Sequence, residues 1–235
     1  KVHRDVRKFI LNNFQIENIN LFGRVFSGVL TGVVSLCLGK KDGTVKDVII
    51  ASKRINQAYF ENNTNYNFSV LDNYDVKILD KIYSKPYKTL KDSIWALGIV
   101  TGDNSRFITN NPSQGEKIYS GKNITKSGIT DSLKYINYER ENFQQVAPDS
   151  VYRAKEKLVY KFISKKLVFA YDDKQRLFLN SANILIPKLE EYSIKDVMAF
   201  LNSTLFQYIY KMKFNELKVL KGNLLELPFP FILPN

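Results

Sequence analysis

The chain has 235 residues, of which 44% are hydrophobic and 25% are charged, as in ordinary globular proteins. This balance excludes a chain that is disordered throughout. One cysteine and one histidine exclude an internal disulfide framework, a multi-cysteine zinc site and a metal centre built on several histidines. No uncharged run of about 18 apolar residues occurs, so we expect a cytoplasmic protein with no membrane partner.

The positive charge is concentrated in two stretches of the chain. The net charge is +12, and residues 1–60 hold ten Lys and Arg against four Asp and Glu. Residues 113–170 hold eleven against six and also contain five tyrosines. Cations bind phosphates and aromatic rings stack on bases, so this mixture favours a nucleic-acid partner. A solvated charged surface, with tyrosines half-buried in strands, is the alternative.

Hydrophobic spacing predicts the elements of the first part of the chain. A helix is expected over residues 3–12, followed by a strand over 16–22. The nearly continuous apolar run 29–38 predicts a buried strand. After a turn, residues 45–51 predict a strand that forms a hairpin with it.

A polar, Asn-rich linker is expected at 61–71, after which the elements alternate less regularly. Pro86 ends a predicted helix, and a one-face apolar stripe predicts a single helix from Ser193 to Met212. The other expected elements are a helix at 90–94 and strands at 95–100, 156–163 and 176–186.

No constellation of residues predicts catalysis by this chain alone. Pro148-Asp149 and Glu156-Lys157 are similar to a nuclease pattern, but no residue separates the Glu from the Lys to place both side chains on one strand face. His3 lies at the terminus, and Cys37 lies in an apolar strand where packing is its expected role. The glycines form no phosphate-binding loop.

Four segments in order give the chain a family resemblance over about residues 71–235. They are Gly-Ile-Val-Thr-Gly-Asp-Asn-Ser-Arg-Phe-Ile at 98–108, Ile-Tyr-Ser-Gly-Lys-Asn-Ile at 118–124, the strands of 156–187, and Leu-Asn-Ser-Thr-Leu-Phe at 201–206 with Leu-Pro-Phe-Pro at 227–230. Together they resemble the TaqI-like C-terminal specificity domain, the target-recognition domain of adenine-N6 DNA methyltransferases and restriction–modification enzymes. The chain departs from the family pattern at Asn123, where the family usually has Asp.

The resemblance implies an α+β fold in three parts. Residues 72–235 would be a mixed-sheet target-recognition domain with helices, 61–71 a linker, and 1–60 the last helix and strands of an α/β methyltransferase fold. The chain itself would hold no cofactor, whereas the parent enzyme would use S-adenosylmethionine. The implied partners are double-stranded DNA and an upstream methyltransferase catalytic domain or subunit, and whether the parent also cleaves DNA stays open.

The function implied is recognition of a DNA sequence, because methylation of a flipped adenine requires a module that grips the duplex. Lys and Arg would contact phosphates, and Asn, Ser and Arg on loops would read bases. A turn role for Asn104 and a solvated role for Lys122 stay open, and so does the alternative that residues 1–60 dock a partner subunit without DNA contact. The candidate DNA-binding residues are Asn104, Ser105, Arg106, Lys117, Lys122, Asn123, Lys126, Arg153, Lys157, Lys165 and Lys166.

Overall fold

The chain folds into two compact units, Lys1–Ser84 and Lys85–Asn235, seen in a computed structural model. Each unit combines helices with sheets, and the sheets contain both parallel and antiparallel pairs, so the α+β prediction is confirmed. In the described ranges no helix is long and apolar enough to cross a membrane. The structure describes residues 3–28, 32–44, 46–63, 66–214 and 216–231.

The first unit is built on a four-stranded sheet of order β2-β1-β3-β4. Strand β1 lies antiparallel to β2 and parallel to β3, and β3 forms a tight hairpin with β4. The predicted hairpin between the second and third strands is therefore wrong, because β1 separates them. The described elements of this unit are α1 (Arg4–Asn13), β1 (Phe14–Gly23), β2 (Val33–Lys40), β3 (Asp47–Ile50), β4 (Lys53–Asn56), α2 (Ala58–Asn62) and α3 (Asn73–Tyr83).

Strand β2 lies at the edge of this sheet, and its side chains are exposed or half-buried. The prediction of a buried strand is wrong in this respect, because the described residues cover neither face of β2 and pair only one of its edges. Val34, Leu36 and Leu38 are exposed although they are strongly apolar. The first three residues of the predicted strand, 29–31, lie outside the described residues, as does Val45.

The residues predicted as a linker, 61–71, lie inside the first unit. Phe60 and Leu71 are fully buried at either end of this segment, and Asp72 caps helix α3 through a capping box with Asp75. Lys53 Nζ of β4 lies 2.6 Å from Asp75 Oδ2. These contacts tie the segment and α3 to the sheet, so the structure places the division between the units after Ser84. Residues 64 and 65 lie outside the described residues.

The second unit contains two four-stranded sheets. One is antiparallel with order β13-β12-β15-β6, and the other is mixed with order β14-β8-β11-β7. The strands are β5 (Tyr87–Lys88), β6 (Ile94–Leu97), β7 (Ile108–Thr109), β8 (Glu116–Tyr119), β9 (Ile124–Thr125), β10 (Gly128–Ile129), β11 (Tyr135–Ile136), β12 (Lys157–Lys161), β13 (Phe169–Asp172), β14 (Leu177–Phe178), β15 (Ala182–Ile186) and β16 (Phe229–Pro230). The helices are α4 (Asn104–Phe107), α5 (Asp149–Tyr152), α6 (Ile194–Asn202), α7 (Thr204–Lys213) and α8 (Lys221–Leu224).

An apolar core of buried residues joins the two sheets of the second unit. Val159 of β12 and Ile184 of β15 are fully buried in it, together with Phe178 of β14 and Ile118 of β8. Four consecutive residues of β12, Lys157 to Tyr160, are buried. Other segments of the same unit therefore cover both faces of this central strand. The loops between these strands are thereby held on a rigid base.

Two predicted helices differ from the structure. The predicted helix at 90–94 is wrong, because Leu90 is buried in an irregular segment that leads into β6. The predicted helix from Ser193 to Met212 divides at Ser203, whose extended backbone ends α6 and whose hydroxyl caps α7. Because α7 starts in a new direction after this break, the predicted apolar stripe is not buried along its whole length, and Leu205 is 48% exposed.

Candidate nucleic-acid interface

The loop between β6 and β7 is built by the motif that begins at Gly98. A Cβ atom at Gly98 would lie 2.3 Å from the carbonyl oxygen of Leu179, so only glycine allows this backbone approach. Gly102 has a φ of 82°, which glycine adopts without strain. Asp103 then caps α4 by accepting hydrogen bonds from the backbone N–H groups of Ser105 and Arg106. The motif residues therefore fix the position of Asn104.

Asn104 is anchored through one end of its amide group. Its Oδ1 accepts a hydrogen bond of 2.7 Å from the Thr101 hydroxyl, and its side chain is exposed. Among the described residues the Nδ2 atom of Asn104 has no partner. An anchored amide with a free N–H₂ group can donate to acceptors on base edges such as N7 and O6 of guanine or O4 of thymine.

Asn104 lines an open groove of about 970 Å³ on the second unit, which we call the Lys122 groove. Four of the predicted DNA-binding residues line it, namely Asn104, Ser105, Lys122 and Asn123. The remaining lining residues are Ile108, Ser120, Gly121, Asp131, Ser132, Leu133, Lys134, Lys161, Ile163, Leu179 and Ser181.

Asn123 shapes the groove with both atoms of its amide. Its Oδ1 accepts from the backbone N–H of Ser120 at 3.0 Å, and its Nδ2 donates to the carbonyl of Asp131 at 3.0 Å. The carboxylate oxygen of the usual family residue could accept from Ser120 in the same way, so the Asn preserves this loop contact. Both ends of the Asn123 amide are thus engaged within the loop that carries Lys122.

The acidic residue of the groove is neutralised by a lysine. Lys117 Nζ lies 2.7 Å from both carboxylate oxygens of Asp131. The hydrogen bond from Lys117 lowers the pKa of Asp131, and the carboxylate raises the pKa of Lys117, so both groups stay charged near neutral pH. The predicted phosphate contact of Lys117 therefore competes with an ion pair already present in the structure.

Three cations then dominate the electrostatics of the groove. Lys122 is exposed on a short 3₁₀ turn, and Lys161 stands at the end of β12. Neither makes an ion pair within the part of the chain that the structure describes. Lys134 Nζ donates to Asn110 Oδ1 at 2.7 Å, and no carboxylate of the described residues forms an ion pair with it. The groove therefore presents positive charge beside the free donor of Asn104.

Lys161, Lys134 and two apolar residues of the groove are not among the residues predicted from the sequence. Leu133 is 78% exposed and Ile163 is 65% exposed, and both line the groove together with its lysines. Lys134 and Lys161 share the basic stretch 113–170 with the predicted residues, so the charge distribution indicated them without selecting them. Nothing in the sequence separates Leu133 and Ile163 from core residues.

The prediction that Lys157 binds DNA is wrong, because its side chain is fully buried. Its Nζ lies 2.7 Å from Asp172 Oδ2 and donates to the carbonyl of Tyr152 at 2.7 Å. Burial lowers its pKa, and the ion pair with Asp172 opposes that change. An ammonium group enclosed in this way holds β12 to β13 and cannot reach a phosphate.

The structure places the other predicted residues outside the Lys122 groove. Arg153 pairs with Glu116, which raises the pKa of the guanidinium group, and it also stacks on Tyr138. Arg106 lies over the ring of Phe107, and Lys126 Nζ donates to the carbonyl of Asn202 at 2.9 Å. Lys165 and Lys166 line a second groove with Lys211, Gln207 and Tyr208 of α7.

The residues of the nuclease-like pattern have separate partners. Asp149 binds Tyr138 and Arg140, and Glu156 binds the hydroxyl of Tyr171. Within the described ranges no three His, Cys, Asp or Glu side chains lie close enough together to hold a metal ion.

Comparison with known proteins gives this surface its family context. Residues 116–229 match the TaqI-like C-terminal specificity domain. The resemblance expected from the sequence motifs is thus confirmed. The matched residues run from β8 to the start of β16 and supply most of the Lys122 groove, including Lys122, Leu133 and Lys161.

One sequence relative and one solved structure extend this comparison. The chain is 33% identical over 135 residues to the type II methyltransferase M.VspI of Vibrio sp. (strain 343), an alignment that covers 54% of this chain and 33% of that protein. The fold is similar to that of the type IIL restriction-modification enzyme MmeI, solved in complex with DNA, with a TM-score of 0.53 and 12% identity. That match covers 95% of this chain and 36% of MmeI. The chain thus spans about a third of the length of each of these two proteins.

Proposed function

We propose that this chain is the sequence-reading module of an adenine-N6 DNA methyltransferase or restriction–modification enzyme, and that it binds double-stranded DNA through the Lys122 groove. The observation that carries the proposal is the free amide donor of Asn104 beside unpaired lysines in a surface formed largely by a specificity domain. Lys122, Lys134 and Lys161 would hold phosphates, and Asn104 would read a base edge. MmeI, with a similar fold, was solved with DNA.

The salt dependence of binding tests this proposal. We expect duplex affinity to fall steeply with salt, and the slope of log K against log salt to decrease by about 0.9 for each phosphate contact removed. Lys122→Ala and Lys161→Ala should each lower the slope and weaken binding similarly for all duplexes. Lys174→Ala is the matched control, because Lys174 is an exposed lysine of the same unit that does not line the groove. Unchanged slopes in both groove variants would contradict the proposal.

The catalytic part of the enzyme would be a separate domain or subunit that covers strand β2. Exposed Val34, Leu36 and Leu38, together with an edge that no described residue pairs, are typical of a strand that belongs inside a larger sheet. M.VspI is about three times as long as the matching part of this chain, which leaves room for such a domain. Hydrogen exchange of the β2 amides that face away from β1 should be fast in this chain alone and slow in the complete enzyme.

S-adenosylmethionine is assigned to that catalytic part and not to this chain. In the described part of the first unit, Gly23 ends β1, Gly28 follows it, and the next described element is strand β2. Nucleotide-type cofactor loops instead lie between a strand and a helix. The chain alone should therefore neither transfer methyl groups from S-adenosylmethionine nor cleave DNA with Mg²⁺. Turnover by the purified chain that a point substitution in it abolishes would contradict this assignment.

The alternative function, a protein-docking module without DNA contact, draws on the same exposed β2. Apolar docking would depend little on salt, whereas phosphate binding depends on it strongly. If the chain bound its catalytic partner but not duplex DNA at low salt, the docking function would replace the proposal.

A further inference from the structure

Leu133 is an exposed apolar residue whose two neighbours in the chain are both held by hydrogen bonds. It is 78% exposed, more than any other large apolar residue of the described chain. Its neighbour Ser132 is buried and donates a hydrogen bond of 2.7 Å to the carbonyl of Ile118. Lys134 accepts from the N–H of Ile118 through its carbonyl, and its own N–H donates to the hydroxyl of Ser132. Both flanking residues are thus tied to one another and to β8.

The side chain of Leu133 therefore projects from a rigid turn towards solvent, in a groove that also carries lysines and the exposed Ile163. Asp131 and Lys134 flank this turn, and the opening of the groove carries Asn104 and Lys122. An apolar side chain held at such a place gains nothing from packing within its own unit, because most of its surface faces solvent. Its burial requires a partner that enters the groove.

We infer that Leu133 is a specificity residue that contacts the C5-methyl group of thymine in the major groove of the bound duplex. This inference rests on the proposed DNA-binding function. Base edges in the major groove carry hydrogen-bond donors and acceptors, and thymine adds the one apolar group among the four unmodified bases. A leucine beside phosphate-binding lysines and an amide donor has this methyl group as its complementary partner on a base edge.

Replacement of thymine by uracil removes this methyl group and leaves the base pairing intact. A duplex is first selected from a random-sequence library with the unsubstituted chain at low salt, and each thymine is then replaced singly by deoxyuridine. At one or more positions the unsubstituted chain should bind about fourfold more weakly, the equivalent of one buried methyl group. Leu133→Ala should bind the thymine and uracil duplexes equally.

Leu205→Ala is the control, because Leu205 is exposed on α7 and does not line the groove, and it should keep the fourfold preference. Near-ultraviolet circular dichroism verifies that each variant is folded, and the uracil series on the unsubstituted chain needs no variant. The inference is overturned if no uracil substitution weakens binding, if the selected site lacks thymine, or if Leu133→Ala weakens binding to both duplexes while keeping their ratio. The last result would indicate that Leu133 inserts between neighbouring base pairs instead of contacting a thymine methyl group. Failure to select any duplex would instead overturn the proposed function itself.

Discussion

Replacing Asp172 by asparagine should destabilise the second unit far more than replacing its ion-pair partner Lys157 by methionine. Both side chains are fully buried, and Lys157 Nζ lies 2.7 Å from Asp172 Oδ2. Asp172→Asn leaves the ammonium group enclosed with the carbonyl of Tyr152 and without a negative charge. Breaking a buried pair in this way costs about 3–5 kcal/mol. For a protein of this size that lowers the thermal midpoint by roughly 6–20 °C.

Lys157→Met should cost much less, because Asp172 keeps its other partners. Arg176 donates to Asp172 Oδ1 at 2.7 Å from its side chain, and its backbone N–H donates to Oδ2 at 2.9 Å. Methionine fills much of the space of the lysine stem and removes a buried charge. The loss of the hydrogen bond to Tyr152 then dominates, at about 1 kcal/mol or roughly 2–4 °C.

The pH dependence of stability supplies a second test of the same pair. Burial holds the pKa of Lys157 below its unfolded value of 10.5. Between these two pKa values the unfolded chain binds more protons than the folded chain, so stability rises with pH over that window. Asp172→Asn removes the negative charge that opposes the lowering of the Lys157 pKa. The rise of stability with pH should therefore begin at a lower pH in this variant. The stability deficit of this variant should therefore shrink as the pH rises towards 10.

Trp95 makes the measurement specific to the second unit. It is the one tryptophan of the chain and lies in β6, so its fluorescence follows unfolding of the sheet that contains Lys157. Urea and thermal unfolding of the two variants and the unsubstituted chain give the three free energies. The reasoning is refuted if Lys157→Met costs as much as Asp172→Asn, or if the deficit of Asp172→Asn does not shrink with rising pH.

Three further substitutions test the site and its supports. Asn104→Ala should cost about 1–3 kcal/mol on the selected duplex and little on unrelated duplexes, as measured by fluorescence anisotropy, and equal losses on both would contradict base reading. Gly98→Ala should cost about 1–3 kcal/mol of unfolding free energy, because its Cβ would meet the carbonyl of Leu179, and an unchanged urea midpoint would contradict this. Ser203→Ala should cost about 1 kcal/mol through loss of the cap on Phe206 N–H, with Thr at 203 restoring most of it.

Elements with strong local signals could be predicted from the sequence, but their partners could not. Helix α1 and strand β1 agree with the predicted segments to within a few residues, because helical spacing and an apolar strand pattern are local properties. The pairing of β1 between β2 and β3 depends on contacts distant in sequence, and adjacency in the chain suggested a different hairpin. The division at Ser203 was hidden by an apolar stripe that continued across it.

The residues of the candidate site also differ in how far the sequence could identify them. Asn104 and Lys122 could be selected as candidates because they lie in two of the short segments that carry the family resemblance. Lys157 was misjudged, because only the register between β12 and β13 places Asp172 opposite it. Leu133 was missed, because an apolar residue in a sequence indicates a core until tertiary packing shows which side faces solvent.

The loops of the Lys122 groove hold their shape with short-range hydrogen bonds of their own, and this bears on how the protein can evolve. Asp103 caps α4, and Ser120 with Asn123 closes the next turn. The side chains that face the groove at Lys122 and Leu133 take no part in these bonds. Their replacement therefore has little cost in folding. In the proposed role, single substitutions at Leu133 would then change the preference for a base while the loops keep their shape.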